Sequence, residues 1–333
     1  MKLLVRFILG AAVIVPACGG SSATPMSPPS APSPPAPAAR GGHAMAHDAA
    51  RGQVLLFGGN GVSFFGDLWG WNGRTWTQLS ATGPAPRDVP VLAYDSRRQR
   101  LVLYGGRTRD GAANRAFTDT WEWDGARWTQ REVTGPSARV HPAGAFDARS
   151  GRLVLYGGID SQERWLTDTW EWDGQRWRQR SSAGPADCLP NGMDFDATRG
   201  KVLLLCANAG SQRPDGTFDT SLWEWNGTWL PVNDRGPVLS PIQATTSLGE
   251  AGGILLFDGG VAQGNTGLTW RWDGARWTRL DAVGPQSRNG HALAYDPARG
   301  RVVLFGGGRG AGDFADTWEW DGARWVQVNL TQN

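Results

Sequence analysis

Glycine-proline pairs at Gly83-Pro84, Gly135-Pro136, Gly184-Pro185, Gly236-Pro237 and Gly284-Pro285 divide the chain at intervals of roughly 50 residues. Between them one pattern returns, and the last copy shows it most cleanly. Arg288, His291 and Tyr295-Asp296 lead into Arg301-Val-Val-Leu-Phe305-Gly306-Gly307, followed by Asp316-Thr-Trp318-Glu-Trp320-Asp-Gly322 and Trp325. Six copies fill residues 40 to 330. Each reads as four short strands: a near His291 to Tyr295, b from Arg301 to Phe305, c through Trp318 to Trp320, and d from Trp325 onward. The chain holds 47 glycines and 19 tryptophans, which suits an all-β protein full of tight turns.

A four-stranded sheet with this pattern has two apolar faces and can bury neither alone. Six packed around an axis bury both and leave only short edges. The expected fold is therefore an all-β, six-bladed β-propeller with four antiparallel strands per blade, the blades covering about 40–84, 85–136, 137–185, 186–237, 238–285 and 286–333. Three tryptophans per blade belong to this frame, as in Trp121, Trp123 and Trp128; only Trp165 falls outside it. The strand period of two puts both indoles of each Trp-x-Trp pair on one face, aimed at the next blade. At about 150–250 Å² per ring and about 25 cal/mol per Å², each contributes on the order of 4–6 kcal/mol gross. The copies begin on strand a and end on strand d, so closure is expected to rest on packing of blade 6 against blade 1, unless the preceding segment adds a strand.

The period, the double glycine after strand b and the tryptophans on c and d resemble the kelch repeat, over nearly the whole chain after residue 40. The alternative WD40 repeat has a shorter period, about 40–45 residues, and its signals do not stand in this relation. The galactose oxidase family shares the kelch architecture, and its copper site needs tyrosines, two histidines and a cysteine. Here Tyr94, Tyr104, Tyr156 and Tyr295 are all at repeated core positions, and the only cysteines after the leader are both in blade 4. No copper site, other cofactor or catalytic residue is expected on this basis. Fold alone does not decide function. The favoured class is a binding or protein-interaction scaffold; the alternative is a propeller enzyme acting on carbohydrate, of isomerase or hydrolase type.

Upstream, Lys2 and Arg6 precede the apolar run Phe7 to Val15, the size of a signal-peptide core and too short for a permanent span. Val15-Pro16-Ala17-Cys18 resembles the bacterial lipobox, which implies a lipoprotein-type signal over residues 1–18 with Cys18 lipidated and kept as the N-terminus of the mature protein; a plain secretory signal is the alternative. Gly19 in place of aspartate favours the outer membrane where the cell has one. Residues 19–39 hold seven prolines and no charge, the composition of an extended tether. Once Lys2 and Arg6 leave with the leader, the basic residues equal the 31 acids in number. That balance, with no basic block, argues against nucleic-acid binding. An exported, lipid-anchored monomer is expected, touching the membrane only through its lipid and meeting an extracellular glycan or protein.

Strand alternation puts the a–b and c–d turns on one face of the disc and the b–c and d–a loops on the other. The first face carries uniform Asp-x-x-x-Gly and Trp-Asp-Gly turns, whose glycines supply positive φ. The second carries b–c loops of differing sequence: Asn60–Gly66, Arg107–Thr118, Ile159–Thr167, Asn208–Phe218, Val261–Leu268 and Gly308–Ala315. Variable loops on a rigid frame are where recognition is concentrated. The candidate ligand-binding residues are Arg107, Arg109, Asp110 and Arg115, then Glu163, Arg164 and Trp165, then Arg213 and Asp215. Trp165 is either a platform for a sugar ring or folded back over its blade. The arginines hold carboxylates or phosphates, or are solvated.

Cys188 takes the place of Arg87, and Cys206 replaces the first glycine of the Gly-Gly pair. Strands a and b form a hairpin, so the two cysteines are near-opposite. Either a disulfide follows, which export permits, or two buried thiols. His43 and His291 share one repeat position in blades that become neighbours on closure. They are framework, with a metal site between them the minor alternative.

Overall fold

The computed structural model describes residues 35–333 except 111–112, 240–243, 248–251, 259–266, 281, 310–311 and 330–333. The proposed leader, Cys18 and most of the tether lie outside the described residues.

Alternation of apolar residues sets the strands, and their order follows the chain. Blade 2 is typical, with Val91–Asp95, Arg100–Tyr104, Thr120–Trp123 and Trp128–Arg131 paired antiparallel in sequence order. The other five sheets have the same a-b-c-d order, blade 6 included, so among the described residues no strand is exchanged between the ends of the ring. Residues 35–39 add no strand, although Ala36 packs on the seam between blades 1 and 6.

The innermost strands are Ala44–Asp48, Val91–Asp95, Ala143–Asp147, Cys188–Asp196, Ala244–Ser247 and Ala292–Asp296. Each lies against its counterparts on both sides, the first against the last, so the ring is closed. The core is correspondingly divided among the seams between blades. One cluster joins Trp71 and Trp76 of blade 1 to Val303 and Phe305 of blade 6. Another joins Trp123 of blade 2 to Leu55 and Phe57 of blade 1, and four more fill the remaining seams.

Burying an indole leaves its N–H in need of an acceptor, and blades 1, 3, 4 and 6 find it on the blade before. The strand-d indoles Trp76, Trp177, Trp229 and Trp325 donate to the hydroxyls of Thr317, Thr120, Thr169 and Thr269 at 2.8–2.9 Å. Trp71 and Trp172 donate to Glu319 and Glu122 at 2.9 and 3.1 Å. Where blade 1 has Leu68 in the threonine position, the buried Trp128 Nε1 has no partner among the described residues.

A buried arginine pins the strands within a blade. Arg40, Arg87, Arg139 and Arg288, each nearly or wholly inaccessible, form bidentate pairs with Asp67, Asp119, Asp168 and Asp316. Each also donates to the carbonyl of the first glycine of its Gly-Gly pair at 2.9 Å. The same aspartates accept the indole N–H two residues on, as Asp119 does from Trp121 at 2.7 Å. In blade 4 Ser221 stands where the aspartate would be, and Cys188 and Cys206 are joined as a disulfide with Cα atoms 4.9 Å apart. A bulge between Pro190 and Gly192 brings the two together across the a–b pair.

The uniform face does more than turn the chain. Arg51 reaches from the a–b turn of blade 1 to the Asp124 carbonyl at 2.6 Å, lying over Gly125 of blade 2. Arg98 lies likewise over Gly174, Arg199 over Gly274, and Arg299 over Gly73 across the closing seam. These glycines provide bare backbone for the neighbouring guanidinium as well as positive φ.

Candidate functional site

On the loop face the channel around the axis opens into two adjoining hollows. One, of about 450 Å³, is largely apolar, with Val91, Ile159, Trp165, Leu189 and Phe218 in its wall and His43, His141 and His291 among its polar groups. The other, of about 480 Å³, is polar, and Asn60, Asp88, Arg107, Asn289, Arg309 and Asp313 line it. Gly42, Val89, His141 and Gly290 belong to both, so the two make one cup. Blades 6, 1 and 2 form the polar side, and blades 3 and 4 much of the apolar side. Both volumes fall in the range of small-molecule sites, about 300–1,000 Å³.

The polar side is built by short backbone bridges that tie each d–a connection to the start of the b–c loop, among them Gly41 to Asn60, Asp88 to Arg107 and Asn289 to Gly308. Asp88 is 2% exposed. Its carboxylate accepts from Arg107 Nε at 3.0 Å, from Arg107 Nη2 at 3.4 Å and from Asn60 Nδ2 at 2.9 Å. Burial pushes the Asp88 carboxyl above its ordinary value, and the bonds and charge of Arg107 only partly offset this. Burial, and then the charge of Arg107, lowers the pKa of His141 to about 4, so the imidazole is neutral at neutral pH.

Of the residues singled out in the sequence, Arg107 and Trp165 reach the cup, and Trp165 is 45% exposed there. Arg109 and Arg115 stand on a hairpin of blade 2, Arg107–Asp110 paired with Ala113–Ala116, and do not line the cup; Arg115 lies 5.3 Å over the Phe117 ring. The Asp110 side chain is outside the described residues. Glu163 and Arg164 form the exposed tip of the blade 3 loop, where Arg164 pairs with Asp160 at 2.8 Å. Arg213 pairs with Asp219, and Asp215 accepts from the Thr217 hydroxyl at 2.6 Å, so both serve their own loop. His43 and His291 are buried edge-on against Phe305 and Phe257 of the preceding blades, 5.5 and 5.2 Å between ring centres. Among the described residues no three His, Cys, Asp or Glu side chains gather as a metal site would require. Tyr104 and Tyr156 donate to the carbonyls of Pro136 and Pro185 at 2.8 Å, tying strand b to the Gly-Pro pair.

Attention to the b–c loops misses Asp88, Val89 and His141, which come from the d–a connections. A signal is present in the chain: the two residues after the framework arginine change from blade to blade, as Gly41-Gly42, Asp88-Val89, Val140-His141 and Asn289-Gly290.

Fold and cup together define a six-bladed β-propeller with a pocket at one mouth of its axis. No protein-family model matches the chain, and no curated protein matches its sequence. In fold it is similar to the solved structure of YjhT, with a TM-score of 0.63 and 14% identity over 90% of this chain and 99% of that one. At this identity the likeness extends to the fold alone.

Proposed function

We propose that the protein is a kelch-type binding module that works outside the cytoplasm, held to the cell envelope by a lipid on Cys18, and that it captures a glycan in the axial cup. The observation that carries this reading is the cup itself. An exposed indole, Trp165, stands over an apolar wall facing a polar wall of Asn60, Asp88 and Arg107. An aromatic surface beside a few fixed polar groups is the usual make-up of a small-ligand site. The kelch assignment is supported by the double glycine after strand b and the paired tryptophans on strand c. The proposed lipid anchor is supported by the Val15–Cys18 motif, and export also suits the disulfide in blade 4.

A screen of the purified protein against immobilised cell-wall and extracellular polysaccharides, with a protein-partner arm in parallel, tests this. Saturable glycan binding, lost in Trp165→Ala with melting temperature unchanged and lost also in Arg107→Ala, is the expected result. Capture of a protein unaffected by both substitutions would reject the cup as the recognition site. Export is tested separately by labelling with a radioactive fatty acid, which Cys18→Ala should abolish.

A further inference from the structure

Two residues of the cup are held in a backbone conformation their side chains disfavour. The second residue after the framework arginine is left-handed in four blades: Gly42 at φ 64°, Val89 at 46°, His141 at 55° and Gly290 at 66°. Glycine adopts this without steric cost, whereas a β-branched valine there is an outlier. Blades 1 and 6 use glycine; blades 2 and 3 carry side chains instead, and both of these line the cup. Strain of this kind collects where a side chain is needed for recognition.

The polar groups narrow the ligand class. Among the described residues the charged side chains lining the polar hollow are two acids, Asp88 and Asp313, and two arginines, Arg107 and Arg309, so neither sign is in excess. Asp88 and Arg107 already satisfy each other. Among the described residues no Asp, Glu, Lys or Arg lines the apolar hollow. His141 makes no hydrogen bond among the described residues, and as a neutral imidazole it offers one donor and one acceptor.

We propose that the cup receives an uncharged, hydroxyl-bearing ring, a neutral sugar at a chain end, with its hydroxyls on His141, Asp88 and Asn60 and its apolar face toward Trp165 and Ile159. A hydroxyl both donates and accepts, so it meets an imidazole, a carboxylate and a carboxamide alike. A sugar acid that engaged Arg107 would draw it away from Asp88, leaving a buried carboxylate without its counter-charge. This rests on the glycan reading above and adds the ligand's charge and its end-on entry.

The test is calorimetry of the purified protein with the methyl glycosides of glucose, galactose and mannose, and with glucuronic and galacturonic acid glycosides matched to them. One neutral glycoside is expected to bind, and its matched acid at least about tenfold more weakly. His141→Ala and Val89→Gly should each weaken the neutral ligand at least about tenfold, with Val89→Gly melting no lower than the parent because its strain is relieved. An acid binding as tightly as its neutral partner would overturn the proposal, as would unchanged binding in both variants. Failure of every monosaccharide while a polysaccharide is still captured would overturn the end-on neutral ring and leave the broader glycan reading standing. Failure of all glycans would remove both.

Discussion

Asp119 and Asp88 are both carboxylates paired with an arginine, yet their settings give them opposite effects on stability. Burial raises the Asp119 carboxyl, but the bonds and charge of Arg87 outweigh it and hold the group below its ordinary value. Asp67 and Asp168 are lowered in the same way by Arg40 and Arg139. Their stabilisation is therefore complete above the unfolded carboxylate value of about 3.9 and lost as pH falls through their lower native values. For Asp88 burial wins, and its native pKa is raised. Its ionisation costs stability at all pH above that raised value, and the cost disappears as pH falls below about 3.9. In urea unfolding at pH 7, Asp119→Asn is expected to cost about 1.5–3 kcal/mol, the range for a hydrogen bond to a charged partner. Asp88→Asn should unfold no earlier than the parent at pH 7, and any advantage should close as the pH is brought to about 4. A matching loss at pH 7 in both variants would refute this difference. A carboxylate kept at a cost to stability beside a pocket fits a binding role better than a framework one.

At the scale of the element, the turns of the uniform face carry an inter-blade contact that can be isolated. Gly125 and Gly322 occupy equivalent Trp-Asp-Gly turns at φ 101° and 100°, but Arg51 lies over Gly125 while nothing among the described residues lies within 4 Å of a methyl at Gly322. Gly322→Ala should show backbone strain alone, about 1–2 kcal/mol. Gly125→Ala should cost that plus roughly 0.5–1.5 kcal/mol for the Arg51 bond to Asp124; equal thermal shifts would mean that arginine contributes nothing. Blade 4 offers a second case, because its disulfide stands in for the arginine pair of blades 1, 2, 3 and 6. With the cysteines 18 positions apart in the chain, replacing both by serine is expected to cost about 3 kcal/mol, read as an earlier chemical unfolding midpoint. The strands were legible in the chain, since alternation and the Gly-Gly pair mark strand b wherever they occur. The near-opposition of Cys188 and Cys206 followed from the hairpin. Arg51 on Gly125 was not legible, because a local turn pattern carries no sign of what the adjacent blade lays against it. Asp88 escaped notice for the same reason, as the ring alone brings the d–a connections to the axis.

Over the whole molecule, closure without strand exchange has a consequence for connectivity. Across the closing seam Trp76 bonds Thr317, Trp71 bonds Glu319, and Arg299 lies over Gly73, the same contacts that join the internal seams. Backbone bonds from Gly42 to the Gly290 carbonyl at 2.7 Å and from Arg40 to the Phe314 carbonyl at 3.2 Å add to them. Every blade is built from one continuous stretch of chain, so opening the chain in a connection between blades leaves each blade whole. A circular permutant with its ends in the connection between Arg131 and Val140, and a short Gly/Ser linker joining residue 333 to residue 35, keeps every sheet intact. It should fold to the same ring, with far-UV and tryptophan spectra unchanged and unfolding free energy within about 1 kcal/mol, because lengthening or shortening a loop alters closure entropy only slowly. A propeller sealed by a shared strand would lose a whole sheet edge when that strand was relocated. Cutting instead inside blade 2, in the turn between Asp95 and Arg100, separates the a and b strands of one sheet and makes the two chain ends supply parts of one blade. That second permutant should be the less stable of the two, since its blade must assemble across the whole length of the chain. If the two permutants unfolded together, or the first failed to fold while the second did not, the blade would not be the unit from which this ring is built.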